Sequence, residues 1–95
     1  MSLSGKTAVV TGSTSGIGLG IARSLAARGA DVAINSFTDS EEDHALAEEI
    51  GKGHGVRCIY VQADMADAEA ARALVTTAAE KLGSVDLLIN NAGIQ

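Results

Sequence analysis

Residues 11–18, TGSTSGIG, decide the fold. The stretch follows an apolar run at residues 7–10 and precedes an amphipathic helical pattern. In that position Gly12 permits a tight turn, Gly16 lets backbone N–H groups approach a pyrophosphate, and Gly18 lets helix and strand pack closely. The glycines alone are weak evidence, but a glycine turn between a strand and a helix predicts a dinucleotide-binding βαβ unit.

Short apolar runs alternate with longer helical patterns along the rest of the chain. Strands are predicted at residues 7–10, 32–34, 56–61 and 85–89. None of them alternates cleanly between polar and apolar residues. This indicates burial on both faces, as in a parallel sheet covered by helices.

A helical pattern fills each gap between the predicted strands. The first helix carries Ile17, Ile21 and Leu25 on one face, which predicts that this face is buried, and Ala22 and Ala26 lie beside them. Ser40 is the predicted N-cap of the second helix, and the third covers residues 67–82. The order βαβαβαβ with right-handed crossovers predicts an α/β fold, the N-terminal part of a doubly wound Rossmann sheet with strand order 3-2-1-4.

Composition excludes several classes of function. The net charge of -5 and a pI near 4.7 argue against a nucleic-acid partner, which would require clustered basic residues. No apolar run approaches the roughly 20 residues of a membrane span. Cys58 is the only cysteine, which excludes an internal disulfide and a cysteine-built zinc site and predicts a cytoplasmic protein.

Two further motifs follow the later strands. Asp64-Met65 stands after the third predicted strand, and Asn90-Asn91-Ala92-Gly93 after the fourth. Together with the three-residue gap between Gly12 and Gly16, they resemble the short-chain dehydrogenase/reductase family over the whole chain. Residues 12–22, GSTSGIGLGIA, and 90–95, NNAGIQ, are similar to bacterial D-3-hydroxybutyrate dehydrogenases.

The resemblance implies an oxidoreductase that transfers a hydride between a nicotinamide cofactor and a secondary alcohol or ketone. A small hydroxy acid is the expected substrate, with 3-hydroxybutyrate and acetoacetate as the pair, and a homotetramer is the expected assembly. The cofactor contacts that it implies are Gly12, Thr14, Ser15, Gly16, Ile17, Gly18, Phe37, Asp64, Met65, Asn91, Ala92 and Gly93.

Individual roles follow from the same resemblance. Asp64 is expected to accept a hydrogen bond from the adenine amino group, with capping of the following turn as the structural alternative. Asn90 could hold the sheet together instead of contacting the cofactor. Gln95 is expected to bind the substrate carboxylate through its amide.

The end of the second strand bears on the choice of cofactor. An acid there binds the 2′-OH of NAD, and a basic residue accommodates the 2′-phosphate of NADP. The stretch Asn35-Ser36-Phe37 holds neither, and Asp39 in the following loop is a weak substitute. Ser15 and Phe37 occupy the positions where NADP-dependent members commonly carry a basic residue. We therefore predict NAD.

The family's catalytic Ser and its Tyr with a Lys four residues later are not predicted within residues 1–95. Tyr60 is followed four residues later by Asp64, which has the wrong charge, and is predicted to be a packing residue. His44 and His54 are expected to be solvated, and no metal set is predicted. We expect residues 1–95 to be a dinucleotide-binding portion that ends before the catalytic segment.

Three alternatives stay open at this point. An NADPH-dependent 3-oxoacyl-carrier-protein reductase shares the same motifs. A non-catalytic nucleotide-binding module would fit if the native chain ends at Gln95. A purely structural α/β fragment would bind no dinucleotide at all.

Overall fold

The computed structural model describes residues 2–92 as four strands and three helices in strict alternation. The strands are parallel and form one sheet in the order β3-β2-β1-β4. The predicted fold class and strand order are therefore confirmed. The elements are β1 Thr7–Val10, α1 Gly16–Ala27, β2 Asp31–Ser36, α2 Glu41–His54, β3 Cys58–Gln62, α3 Ala68–Leu82 and β4 Leu87–Ile89.

The central strands are buried on both faces, which is why their sequences are almost continuously apolar. Val10, Val32 and Ile34 pack into one core cluster with small side chains of α1 and α2. Val9 and Ala33, on the opposite face of the sheet, pack against α3. One layer of helices thus covers each face of the sheet.

Helix α1 packs on the sheet through small residues. Its buried residues are Gly18, Ala22 and Ala26, a stripe with a spacing of four. The prediction that Ile17 lies on the buried face was wrong, because its side chain is 74% exposed. Ile21 is only half-buried. The small residues bring the helix too close to β1 for larger side chains to fit between them.

Strands β3 and β4 both begin two residues later than predicted. Val56 still lies in the turn that ends α2, since its N–H donates to the Gly51 carbonyl at 3.1 Å, after the left-handed C-cap Gly55. At β4, the Asp86 carboxylate accepts from the backbone N–H of Thr7 at 2.9 Å, so a side chain replaces a strand carbonyl at this position.

Candidate functional site

A cleft of about 710 Å³ opens at the edge of the sheet where the strands end. The residues that line it come directly after each strand: the β1–α1 turn, the end of β2, and the segments after β3 and β4. Its volume is in the range of small-molecule sites. It lies where ligands bind in doubly wound sheets, beside the switch between β1 and β4.

Most of the predicted cofactor residues line this cleft, and three do not. Gly16 and Ile17 are exposed at the start of α1, and Gly18 is buried against the turn. Gly93 and Gln95 lie outside the described residues. The predicted residues along the cleft are Gly12, Thr14, Ser15, Phe37, Asp64, Met65, Asn91 and Ala92.

The glycine turn has a geometry that side chains would disturb. Gly12 and Gly16 have φ values of +57° and +58°, a region that favours glycine. A Cβ on Gly18 would lie 2.3 Å from the Gly12 carbonyl oxygen, closer than any real Cβ contact. A Cβ on Gly16 would meet nothing within 4 Å, so its surroundings are open.

The start of α1 differs from the starts of the other two helices. Ser40 and Asp67 cap α2 and α3 by accepting hydrogen bonds from backbone N–H groups of the first turn. Ser15, the N-cap of α1, makes no such bond, and the first turn of α1 carries no acidic residue. The N–H groups and the positive end of this helix dipole are therefore not neutralised by a side-chain cap, which suits an anionic ligand.

Residues 90–92, after β4, are hydrogen-bonded to residues 11 and 12 of the glycine turn. Thr11 Oγ1 donates to Asn90 Oδ1 at 3.2 Å and accepts from the Ala92 N–H at 3.0 Å. Asn91 Nδ2 donates to the Gly12 carbonyl at 3.0 Å. Asn90 is therefore hydrogen-bonded to Thr11 just beyond β1, in line with one of its two predicted roles, and Asn91 holds the glycine turn.

Sequence reasoning missed the part that Asn35 plays in the cleft. This side chain is 1% exposed, and its Oδ1 accepts from the Gly12 N–H at 3.1 Å. Ser13 is also fully buried, and its Oγ accepts from the Asn35 N–H at 2.8 Å. The signal in the sequence was Asn35 itself, a polar residue that directly follows the apolar run of β2.

Asp64 lies at the cleft and begins a turn. Its Oδ1 accepts from the Ala66 N–H at 2.9 Å, which is the Asx geometry of the structural alternative. The carboxylate is exposed on the cleft wall. Turn formation is thus observed, and the adenine contact stays a prediction.

The loop between β2 and α2 is held by contacts from two sides. Gln62 Nε2 donates to the Phe37 carbonyl at 3.1 Å, while the Phe37 ring is 73% exposed at the cleft. Tyr60 Oη donates to the carbonyls of Ser36, at 3.2 Å, and Thr38. The backbone on both sides of Phe37 is therefore fixed, and its ring faces the cleft from a rigid loop.

Tyr60 is a packing residue, as predicted. It belongs to the core cluster of the α1 and α2 face, and burial raises the pKa of its phenol. A catalytic phenol needs a pKa shifted toward neutrality, so this shift has the wrong direction. His44 is exposed, as expected, but also contacts the Tyr60 ring edge-on and pairs with Asp39 at 2.8 Å.

Among residues 2–92, no group of three or more His, Cys, Asp and Glu side chains could hold a metal ion. Within the same range, no helix is both long enough and apolar enough to cross a membrane. Burial raises the pKa of the Cys58 thiol to about 12, so the group is a poor nucleophile.

The parallel sheet, its strand order and the cleft at the switch point define a Rossmann-fold protein. A family model described as short chain dehydrogenase matches residues 6–95. The chain belongs to the short-chain dehydrogenase/reductase family of oxidoreductases, which use nicotinamide cofactors. The resemblance noted in the sequence is confirmed.

Individual relatives cover nearly all of the chain. It is 52% identical over 93 residues to D-beta-hydroxybutyrate dehydrogenase of Cupriavidus necator, covering 98% of this chain and 35% of that protein. It is 44% identical over 89 residues to the 3-oxoacyl-[acyl-carrier-protein] reductase FabG of Staphylococcus aureus, covering 94% and 36%. The chain thus spans about a third of the length of the curated relatives it matches.

A solved structure extends the similarity to three dimensions. L-sorbose reductase from Gluconobacter frateurii, complexed with NADPH and L-sorbose, superposes with a TM-score of 0.83 at 38% identity. The match covers 93% of this chain and 33% of that one. The two proteins therefore share this part of the fold.

Proposed function

We propose that the cleft binds the adenosine and pyrophosphate part of NAD, and that the whole protein transfers a hydride between NAD and a secondary alcohol or ketone. The observation that carries the proposal is the start of α1, which lacks a side-chain cap and an acidic residue and follows a glycine turn at the cleft. The bound dinucleotide would supply the hydride carrier.

The residues of the chain fit a dinucleotide in three places. The first-turn N–H groups of α1 would bind the pyrophosphate, and the open space at Gly16 would admit it. Asp64 would accept from the adenine amino group, with Met65 contributing backbone. Asn91 and Ala92 would line the ribose next to the nicotinamide, together with Gly93 at the end of the motif.

NAD is proposed over NADP because of the charges near the end of β2. Neither Ser36 nor Phe37 offers a cation to a 2′-phosphate, and Asp39, the acid in the following loop, is paired with His44. Asn35, the buried polar residue next to the end of β2, is hydrogen-bonded to backbone groups and not available to the ligand. An uncompensated phosphate in this position would lose its hydration without gaining an ion pair.

We propose 3-hydroxybutyrate and acetoacetate as the substrate pair. The support is the 52% identity with D-beta-hydroxybutyrate dehydrogenase, and Gln95 would then contact the substrate carboxylate. The second candidate is an NADPH-dependent 3-oxoacyl-carrier-protein reductase. It is favoured by the 44% identity with FabG and by the structural similarity to a reductase complexed with NADPH.

The acid/base group is proposed to lie outside this chain, since its only tyrosine, Tyr60, donates its hydroxyl to backbone carbonyls. In the whole protein, residues 1–95 would supply the floor of the cofactor site. A homotetramer in the cytoplasm is the assembly and location that we propose from the family resemblance and the single thiol.

Fluorescence titration with NADH and NADPH tests the proposal. We expect the whole protein to bind NADH at least about tenfold more tightly than NADPH, a difference of roughly 1.4 kcal/mol. Gly16→Val should abolish NADH binding, because its side chain would project into the open space beside the N–H groups. Gly20→Val controls for a valine on the exposed face of α1, since Gly20 lies one turn further along with nothing within 4 Å. Because a valine at position 16 must also adopt a φ near +58°, circular dichroism should show that Gly16→Val is folded before its NADH affinity is compared. Equal affinities for the two cofactors would refute the NAD assignment, and NADH binding by Gly16→Val would refute the phosphate site.

A further inference from the structure

Ser13, three residues beyond the end of β1, extends the pairing with β2 by one more residue of β2, and its side chain replaces a backbone carbonyl. The Ser13 N–H donates to the Asn35 carbonyl at 2.7 Å, as in a strand. In return, the Asn35 N–H donates to Ser13 Oγ at 2.8 Å. The same hydroxyl donates to the Val10 carbonyl at 2.7 Å. The chain can therefore leave the sheet at Gly12 without leaving the Asn35 N–H unpaired.

The Asn35 carboxamide joins the ends of three strands. Its Oδ1 accepts from the Gly12 N–H, just after β1. Its Nδ2 lies 3.0 Å from the Val61 carbonyl in β3 and 3.3 Å from the Ala63 carbonyl that follows. A third contact, also at 3.3 Å, reaches the Ser36 carbonyl at the end of β2.

Asparagine suits this position because it combines an acceptor with two donors on a short side chain. Aspartate would place a carboxylate against the carbonyls of β3, and serine could not reach both sides. The side chain is 1% exposed, so every unpaired group would also carry the cost of burial without a partner.

We propose that Asn35 is a positioning residue of the dinucleotide site. It holds the Gly12 peptide at the end of the sheet and thereby fixes the position of the glycine turn relative to the strands. This inference rests on the proposed function. It also assigns the backbone donors: the Gly12 N–H is bound by Asn35 and faces away from the ligand, and the pyrophosphate is left to the N–H groups at the start of α1.

The first experiment needs no variant. Amide hydrogen exchange followed by NMR should show the Gly12 N–H protected to about the same degree as the amides of β1, because it is bonded within the sheet edge. Exchange of Gly12 at the rate of an open loop would overturn the proposal. This measurement uses the chain without cofactor and is independent of nucleotide binding.

The second experiment separates positioning from stability. Asn35→Ala should weaken NADH binding by about tenfold or more, with the same factor for ADP-ribose, since the loss lies at the pyrophosphate end. Leu74→Ala, a buried change on the α3 face, should lower stability but leave both dissociation constants unchanged in the folded chain.

The outcomes distinguish the two proposals. Unchanged NADH affinity in Asn35→Ala would overturn the role of Asn35 while leaving the proposed function intact. If the wild-type whole protein binds neither NADH nor NADPH, the proposed function fails, and the role of Asn35 in binding fails with it. If Asn35→Ala does not fold, exchange of the Gly12 amide in the wild type decides whether Asn35 holds the turn.

Discussion

Replacing Gly18 with alanine tests how closely α1 must approach the glycine turn. Gly18→Ala would place a Cβ 2.3 Å from the Gly12 carbonyl oxygen and 2.6 Å from Asn91 Nδ2. Both are far inside van der Waals contact, so the turn or the helix must move by about 1 Å. That movement would break the hydrogen bond from Asn91 to Gly12.

The free energy of unfolding can be estimated from three contributions. Alanine gains about 1 kcal/mol over glycine in helix propensity. Overpacking costs roughly 1–3 kcal/mol, and loss of the hydrogen bond costs about 1 kcal/mol. We therefore expect Gly18→Ala to destabilise the chain by about 1–3 kcal/mol, against the direction that propensity alone predicts.

Gly20→Ala is the matched control, because Gly20 lies in the same helix with nothing within 4 Å of its Cβ position. It should gain up to about 1 kcal/mol. Thermal unfolding followed by circular dichroism measures both variants, and their melting temperatures should differ by at least about 4 °C for a domain of this size. If the two substitutions stabilise the chain equally, α1 does not pack as closely on the glycine turn as the structure indicates.

Two further predictions concern titratable groups. Asp43 is buried, which opposes ionisation, but hydrogen bonds from Thr38 and Ser40 lower the pKa of its carboxyl overall. Its contribution to stability is therefore present above the unfolded-state pKa and lost as the pH falls through the folded one. The free energy of unfolding of the wild type should exceed that of Asp43→Asn by about 1 kcal/mol at pH 7, and the two values should converge in acid. Urea unfolding at several pH values measures this, and a difference that stays constant with pH would contradict it. Cys58, whose thiol pKa is raised to about 12, should react with iodoacetamide at pH 8 roughly a hundredfold more slowly in the native chain than in urea, and equal rates would refute its burial.

The sheet and the position of the cleft could be predicted because their causes are local in sequence. A strand buried on both faces has a continuous apolar run, as in β1, and a glycine turn after it marks where the chain leaves the sheet. Right-handed crossovers then leave few possible strand orders. The motif residues fall at strand ends, so their convergence follows from the topology.

The errors arose where a contact depends on elements that are distant in sequence. Ile17 has the same spacing as buried residues, but the close approach of α1 buries the Gly18 stripe instead. The partners of Asn35 lie up to 28 residues away, and only the assembled sheet brings them together. His44 illustrates the same limit, because its edge-on contact with the Tyr60 ring joins α2 to β3.

The hydrogen bond between Asn91 and Gly12 has a consequence for folding kinetics. It joins residues separated by 79 positions, and the contacts of Thr11 with Asn90 and Ala92 span similar distances. High contact order slows folding, because a long loop must close before these contacts form. During synthesis on the ribosome, the glycine turn therefore stays incomplete until β4 has emerged, and competence to bind a nucleotide should arise late and in a single cooperative step.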